Sequence, residues 1–571
     1  MKNQEVANIL YEIADFLDMD DTPFRPLAYK KAANSLENLE EDIETIYKRG
    51  GTKELEKISG IGEHIALRIE EYLKKGKIGY LQELRKKIPV DIENLTMIEG
   101  MGPKTVKTLY QELNIKNLKD LEKAAKEHRI APLFGFGEKT EQNILEGIEF
   151  LKKTEGRSLL GRILPKANEI YEEIKKLPEV ETISTAGSLR RMKETIGDVD
   201  LLVSSNNPKK IMDHFVSMKG VLKVWGKGET KASIKTAGGF NVDIRVVLPE
   251  SYGSALQHFT GSKEHNIALR KIAMERGLKV NEYGVFKGEK RIAGKTEEEV
   301  YKILRMDWIP PEMREDQGEI ELAIKGRLPQ IVGYNDIKGD LHCHSSWTGG
   351  ENTIEEMAKR AIELGYLYIG IADHTKFLRI ENGLDEKQLM EQRKEIDELN
   401  NKIKGIKILQ GCEANILDDG SIDITNEALA KLDFVIAGIH SGFKMNEKKI
   451  TQRIIKAMEN PHVDIISHPT GRILKRRAEY NVNIDEMIEA AKRTGTILEI
   501  NSYPERLDLN DVNIYRAKRL GVKMVINTDA HHREHMKSMC FGIAQARRGW
   551  AEEKDIINTG TLKELITSFK K

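Results

Sequence analysis

Between residues 336 and 571 short β-type runs alternate with helical patterns, at 368–372, 406–409, 434–437, 465–467, 497–500 and 524–526. That alternation restricts the segment to parallel strands joined by crossover helices, as a sheet or a barrel. The C-terminal ends of the runs carry a second pattern. His342 and His344 follow Gly339-Asp340-Leu341, and His374 follows Asp373. Glu413, His440, His468, Asp529 and His531 close the later runs. Nine of the 14 histidines lie in this segment. One histidine at a strand end is ordinarily a core residue. Six strand ends that each offer an imidazole or carboxylate predict a mouth that holds Zn²⁺, Mn²⁺ or Fe²⁺. A multi-metal site of this kind binds phosphate and activates water, so phosphoester hydrolysis is the expected chemistry.

The 571 residues suggest three to four domains at about 150 residues each. Composition shifts place them at 1–155, 156–315 and 336–571, with 316–335 as a linker. Residues 1–155 read as short helices, with Val6, Ile9, Leu10, Ile13 and Leu17 at helical spacing. Within them a Gly-x-Gly unit recurs three times, as Gly60/Gly62, Gly100/Gly102 and Gly135/Gly137. Lys104-Thr105 and Lys139-Thr140 follow the last two. A hairpin of this form turns backbone N–H groups toward a phosphate, which binds a nucleic-acid backbone without reading sequence. The units resemble the helix-hairpin-helix motifs of DNA repair proteins. Structural turns in a helical bundle are the competing reading.

Residues 156–315 mix strands and helices. Their most informative stretch runs from Gly187 and Ser188 through Arg191 to Gly197, Asp198, Val199 and Asp200. Side chains alternate along a strand, so Asp198 and Asp200 share one face and Val199 points into the core. A third carboxylate, Asp243, lies in a later β-type run. Carboxylates crowded on one face repel unless a cation neutralises them. Three carboxylates around two Mg²⁺ ions are what nucleotidyl transfer requires. Gly187, Ser188 and Gly197 can cradle phosphate, and Arg191 can clamp it.

This segment resembles the nucleotidyltransferase superfamily, and within it the family X DNA polymerases, relatives of DNA polymerase beta. The resemblance runs over residues 1–315 and continues through His258, Phe259, Thr260, Gly261, Asn266, Arg270 and the run 281–284. It implies that Phe259 and Gly261 line the sugar of the incoming nucleotide. It also implies that Asn266 and Arg270 contact the nascent base pair and template, and that Asp243 activates the primer hydroxyl. The C-terminal segment resembles the polymerase and histidinol phosphatase (PHP) domain. That makes His342, His344, His374, Glu413, His440, His468, Asp529 and His531 metal ligands, with Asp340 and Asp373 orienting the histidines. Arg472 is then placed to hold a phosphate, while Lys475, Arg476 and Arg477 either guide DNA or form a solvated loop. The implied activities are a 3′–5′ exonuclease, 3′-end cleaning and abasic-site incision.

Three departures carry expectations. His258 stands where relatives often have tyrosine. Arg68 occupies the place of the lyase lysine, and arginine stays protonated, so no strong sugar-phosphate lyase is expected there. Lys30 or Lys31 could give a weak one. Gly349 stands where the PHP pattern has a carboxylate, which predicts one more weakly held metal.

The expected fold is therefore multidomain α/β. A helical helix-hairpin-helix region precedes an α+β nucleotidyltransferase palm with a small thumb, and a distorted (β/α) barrel follows. The expected function is repair gap filling with an attached nuclease. Its substrates are gapped or primed DNA and deoxynucleoside triphosphates, with Mg²⁺ at the palm and Zn²⁺ or Mn²⁺ at the barrel. Two alternatives remain at this stage: a phosphoesterase with a silent palm, and a nucleotidyltransferase acting on a small molecule or RNA end. Lysine plus arginine equals aspartate plus glutamate at 91 each, but 161–315 carries 27 basic against 22 acidic residues. Electrostatic attraction to DNA is thus expected to be local. Three cysteines, no signal-like start and no run of about 18 apolar residues point to a monomeric protein of a reducing cytoplasm.

Overall fold

The computed structural model describes the chain apart from residues 1, 21–24, 38, 40, 59, 99, 154–155 and 571. Its contacts divide into two compact units, Met1–Glu155 with Ile473–Ala478, and Gly156–Arg472 with Glu479–Lys571. Lys475, Arg476 and Arg477 thus belong to the first unit's contacts.

The first unit is helical. Helix Asn3–Met19 buries Val6, Leu10, Ile13 and Leu17 at the spacing that its sequence sets. Each Gly-x-Gly unit makes a turn into a helix. Gly60, Gly100 and Gly135 have φ of +77°, +83° and +85°, a region open to glycine without strain. Gly62 caps helix Glu63–Lys75 and Gly102 caps Pro103–Leu113, while Gly137 precedes Glu138–Lys153. A Cβ at Gly62, Gly100, Gly102, Gly135 or Gly137 would meet nothing within 4 Å. These turns are therefore bare, as close approach of a phosphate requires. Residues 59 and 99 of the first two units lie outside the described residues. Gly60 differs, because Lys31 Cγ would lie 2.9 Å from its Cβ. The Arg68 guanidinium lies over the Tyr80 ring at 3.8 Å.

The second unit begins with a five-stranded sheet in the order Thr182–Thr185, Asp198–Ser204, Asn241–Val247, Lys231–Thr236, Val221–Lys227. Strands Asp198–Ser204 and Asn241–Val247 run parallel and in register, with Asp200 opposite Asp243. Helices Tyr252–Thr260 and Lys263–Glu275 follow, then a three-stranded sheet centred on Gly284–Lys287. In residues 316–335, helix Glu319–Ile324 adds Ile320 and Ala323 to a core that Trp550 also enters.

Residues 336–571 close into a barrel. One parallel sheet holds Gly339–Cys343, Tyr368–Ile371 and Lys407–Gln410. The other holds Glu413–Asn415, Ile436–Gly438, Ile465–Ile466, Ile497–Asn501 and Met524–Asn527, again parallel. Parallel bridges His374–Glu413 and Cys343–Ala530 join the two sheets at both margins. The barrel is distorted because its ring is made from two separate ladders. Leu341, Phe434, Ile436, Ile465 and Val525 fill its interior. Cys343 and Cys412 are fully buried beside the ligands.

Helix Met539–Arg548 ties this barrel to the preceding segment. Arg548 donates to the Arg191 carbonyl at 2.9 Å and to Glu315 at 3.0 Å, and Arg547 pairs with Glu312 at 2.7 Å. Both arginines are largely buried, so these charge-assisted bonds fix the seam.

Candidate active sites

The first site lies at the start of strand Asp198–Ser204. Alternation leaves Asp198 exposed, Val199 buried and Asp200 half-buried. Asp243 sits across the parallel register from Asp200, with Lys231 Nζ 3.3 Å from its carboxylate. Short helix Gly187–Arg190 begins against these residues, and Gly187 has φ of +59°. A Cβ there would lie 2.1 Å from Asp200 Oδ2, so only glycine admits the carboxylate. Burial, then the charges of Asp198 and Asp243, push the Asp200 carboxyl up to about 7. Asp198 on the same strand face and Asp243 in register beside Asp200 fit a site for divalent cations, since a bound ion would offset both the burial and the like charges that raise Asp200.

Ser188 is half-buried next to Gly187, and Gly197 lies beside Arg157. Arg191 is near enough to lower Asp200 by its charge, yet its guanidinium is already engaged. Nε donates to Glu315 at 3.1 Å and Nη1 to the Thr260 carbonyl at 2.7 Å. Its neighbour Arg190 forks onto Glu297 with two bonds of 2.8 Å. Phe259 shares a cavity with Asp200, Lys231 and Asp243, and the Arg245 guanidinium lies over its ring at 4.7 Å. Asn266 is buried, and its amide nitrogen donates to the carbonyls of His258 at 2.6 Å and Gly261 at 3.2 Å. It therefore shapes the turn holding Phe259 and Gly261, while Arg270 is exposed and bonds the Asn266 carbonyl at 3.1 Å. Lys231, Arg245 and Glu315 escaped the sequence reading. Only the sheet register and chain crossings bring them in.

A pH prediction arises here. A cation needs Asp200 ionised, so protons compete with it below pH 7. Affinity for Mg²⁺ at this site, read as the Mg²⁺ concentration that half-saturates primer extension, is expected to fall about tenfold per pH unit below 7 and to level off above it. A flat profile from pH 5.5 to 7 contradicts the raised Asp200 carboxyl.

The second site is the barrel mouth. His342 Nε2 and His344 Nε2 each lie close to both Glu413 Oε2 and Asp529 Oδ1, a cluster of four donors. Among these atoms His342–Glu413 is 3.4 Å, His342–Asp529 3.6 Å, His344–Asp529 3.3 Å and His344–Glu413 3.8 Å. Donors around a tetrahedral ion at roughly 2.0–2.1 Å lie roughly 3.3 Å apart, which these edges approach. The other Glu413 oxygen lies 3.3 Å from His440 Nε2 and 2.9 Å from His468 Nε2. His344, His374 and His531 form a third group, with His344 stacked between the other two rings at 4.3 and 4.1 Å. His342 Nε2, both His344 nitrogens, His374 Nδ1, His468 Nδ1 and Glu413 Oε2 are buried without a hydrogen bond. Unpaired polar atoms at zero exposure are costly, and their convergence fits bound metal ions. Burial opposes charge on Glu413, yet His440 and His342 hold its carboxyl well below the usual range.

The orienting groups differ from the sequence expectation. Asp340 accepts from the backbone N–H of His342 and Thr528 and from the Thr528 hydroxyl. Asp373 accepts from Ser345, Thr348 and Gln392. Both fix loops and neither touches a histidine ring. The ring contact falls to Glu499, 2.7 Å from His342 Nδ1, and to Asn415, 3.0 Å from His440 Nδ1. Glu499 lies within an apolar run, where a buried carboxylate was the available signal. Arg472, expected to hold phosphate, is committed to Glu194 at 2.8 Å and to the carbonyls of Arg506 and Leu507. Arg506 instead is the cation at the mouth, 3.4 Å from Asp529.

Fold and sites define a class: a metal-dependent enzyme of phosphate-ester chemistry with two separate centres. Family comparisons sharpen it. A helix-hairpin-helix domain matches residues 1–78, a SAM-like helix-hairpin-helix tandem 92–149, the DNA polymerase beta thumb 255–315 and the PHP domain 340–503. A Bacillus subtilis (strain 168) protein named DNA polymerase/3′-5′ exonuclease PolX is 37% identical over 577 residues, covering 100% of both chains. The chain belongs to the PHP-domain-bearing family X DNA polymerases. Part of the chain is also similar to shorter proteins. A probable phosphatase of Caldanaerobacter subterraneus subsp. tengcongensis is 34% identical over 36% of this chain and 78% of that protein. One of Thermoanaerobacter sp. (strain X514) is 31% identical over 41% of this chain and 95% of that protein.

Proposed function

We propose that this chain extends DNA primers from deoxynucleoside triphosphates and removes nucleotides from 3′ ends, acting in repair gap filling. The observation that supports the first activity is Asp200 in register with Asp243 and against the Gly187 turn, with Asp198 on the same strand face. Two divalent ions, Mg²⁺ in this reading, supply Lewis acidity and neutralise the triphosphate when bound. Asp198 and Asp200 hold the nucleotide side. Asp243, next to Lys231, faces the primer 3′-hydroxyl and lowers the cost of its deprotonation. Gly187 and Ser188 cradle phosphate, with Arg191 released from Glu315 to clamp it. Phe259 and Gly261, held by Asn266, border the sugar, and Arg270 reaches the template. The hairpins at Gly60/Gly62, Gly100/Gly102 with Lys104, and Gly135/Gly137 grip the DNA backbone.

At the barrel, a bound Zn²⁺ or Mn²⁺ would supply Lewis acidity to the scissile phosphate and acidify the attacking water. His342, His344, Glu413 and Asp529 would hold one ion, and His440, His468, His374 and His531 its neighbours. Abasic-site incision belongs to the same chemistry. Among the described residues no helix is long and apolar enough to cross a membrane. A monomer of the cytoplasm is the accompanying proposal.

Primer extension on gapped DNA, single-stranded DNA and an RNA end, with deoxy- and ribonucleotides, tests the assignment. Gapped DNA with deoxynucleotides is expected to react fastest. Preference for the RNA end overturns gap filling.

A further inference from the structure

The three groups of ligand atoms at the barrel mouth are unequal. Two include a carboxylate, Asp529 in one and Glu413 in the other. The third, His344 with His374 and His531, has imidazoles alone; His344 is shared with the Asp529 group and His374 with the Glu413 group, whose Oε2 lies 3.0 Å from His374 Nδ1. An ion held there has His531 as its one unshared ligand and is short of a donor of its own. Gly349 stands at this edge and contributes no side chain. The space a side chain would take there is occupied. A Cβ on Gly349 would lie 2.3 Å from Glu381 Oε2 and 3.4 Å from the His531 ring.

Glu381 is held there by its loop. Residues 375–384 leave the strand end at His374 and return to it, with Leu384 N–H donating to the His374 carbonyl at 2.8 Å. The Thr375 hydroxyl and the Phe377 N–H both donate to Asp423, at 2.7 and 3.0 Å. Gly383 N–H closes onto the Leu378 carbonyl at 3.2 Å, making a short turn over Arg379–Glu381. The loop base is thus fastened beside strand Glu413–Asn415, and its one carboxylate fills the space a side chain at Gly349 would take. Among the described residues the Glu381 carboxylate has no ion pair or hydrogen bond. It stands outside the tight groups, whose atoms lie within 4.8 Å of one another.

We propose that Glu381 supplies the carboxylate ligand of the ion held by His374 and His531, in place of one from position 349. The inference rests on the metal-site reading above. It makes the loop 375–384 part of the centre, so that a ligand comes from a segment whose sequence carries no metal motif.

The test is metal binding by the full chain, with Asp198→Asn, Asp200→Asn and Asp243→Asn in every sample so that only the barrel is counted. Mn²⁺ equivalents are measured by elemental analysis after gel filtration, and affinity by titration. Glu381→Gln is expected to lose one equivalent, or to bind its weakest ion at least tenfold less tightly, with the rest retained. Glu381→Ala joined to Gly349→Asp is expected to restore it, since Gly349 has no left-handed φ that would resist a side chain. Unchanged stoichiometry and affinity in Glu381→Gln overturn the proposal while leaving the site reading intact. If His342→Ala and His374→Ala also bind as the parent does, the site reading itself fails.

Discussion

Replacing Asp243 by alanine is expected to lower template-directed primer extension by roughly 10³-fold or more, with nuclease activity on the same DNA unchanged. The size follows from where the carboxylate sits. It stands in register with Asp200 on a parallel strand pair, so its loss removes an ion ligand and the group facing the primer hydroxyl together. Lys231, 3.3 Å away, would then face the site without its partner and repel a cation further. Asp243→Asn keeps the shape and removes the charge, so its defect should be nearly as deep. Folding should survive in both, because the side chain is partly exposed and Val242 and Ile244 keep the core. Single-turnover extension in Mg²⁺ checks the prediction. Extension within tenfold of the parent overturns the assignment of these carboxylates.

His342→Ala carries the second large effect, on the nuclease. His342 Nε2 lies 3.4 Å from Glu413 and 3.6 Å from Asp529, and Nδ1 is fixed by Glu499. Its removal takes one donor from the four-donor group and leaves the buried carboxylates of Glu413, Asp529 and Glu499 without the imidazole between them. A loss of at least about 10²-fold in 3′–5′ degradation is expected, together with loss of bound metal. Glu499→Gln keeps all the ligands but alters the ring's partner, so a smaller loss of about 10–100-fold is expected. Extension should persist in both variants. The seam between the segments runs through Arg548, Glu315 and Arg191, which are distinct from the ligands. Joint loss of extension and degradation would show that strain at the barrel reaches Arg191 through that seam.

The third group of ligands gives a graded comparison. Substitutions at Glu381 should weaken one ion, whereas those at His342 should empty the four-donor group. Metal content therefore ranks the variants before any activity is measured.

Much of this was legible in the sequence because it depends on local spacing. The period of two put Asp198 and Asp200 on one face and Val199 in the core. Repeated strand–helix alternation gave the barrel, and its strand ends named the histidines and carboxylates that converge at its mouth. Glycine pairs before polar helices gave three turns with bare backbone. These properties belong to residues a few positions apart, whose geometry the backbone fixes without help.

Tertiary structure alone decided the rest. That Asp200 faces Asp243 depends on which strands pair and in what register. Glu499 rather than Asp340 or Asp373 holds a histidine ring, because strand order places residue 499 beside residue 342. Arg472 reaches Glu194, 278 positions away, and so cannot be read as a free phosphate ligand. Glu381 fills the space left at Gly349 because a loop folds back on its own strand end. Such pairings join residues whose separation along the chain carries no period, and only packing selects among the many that charge would allow.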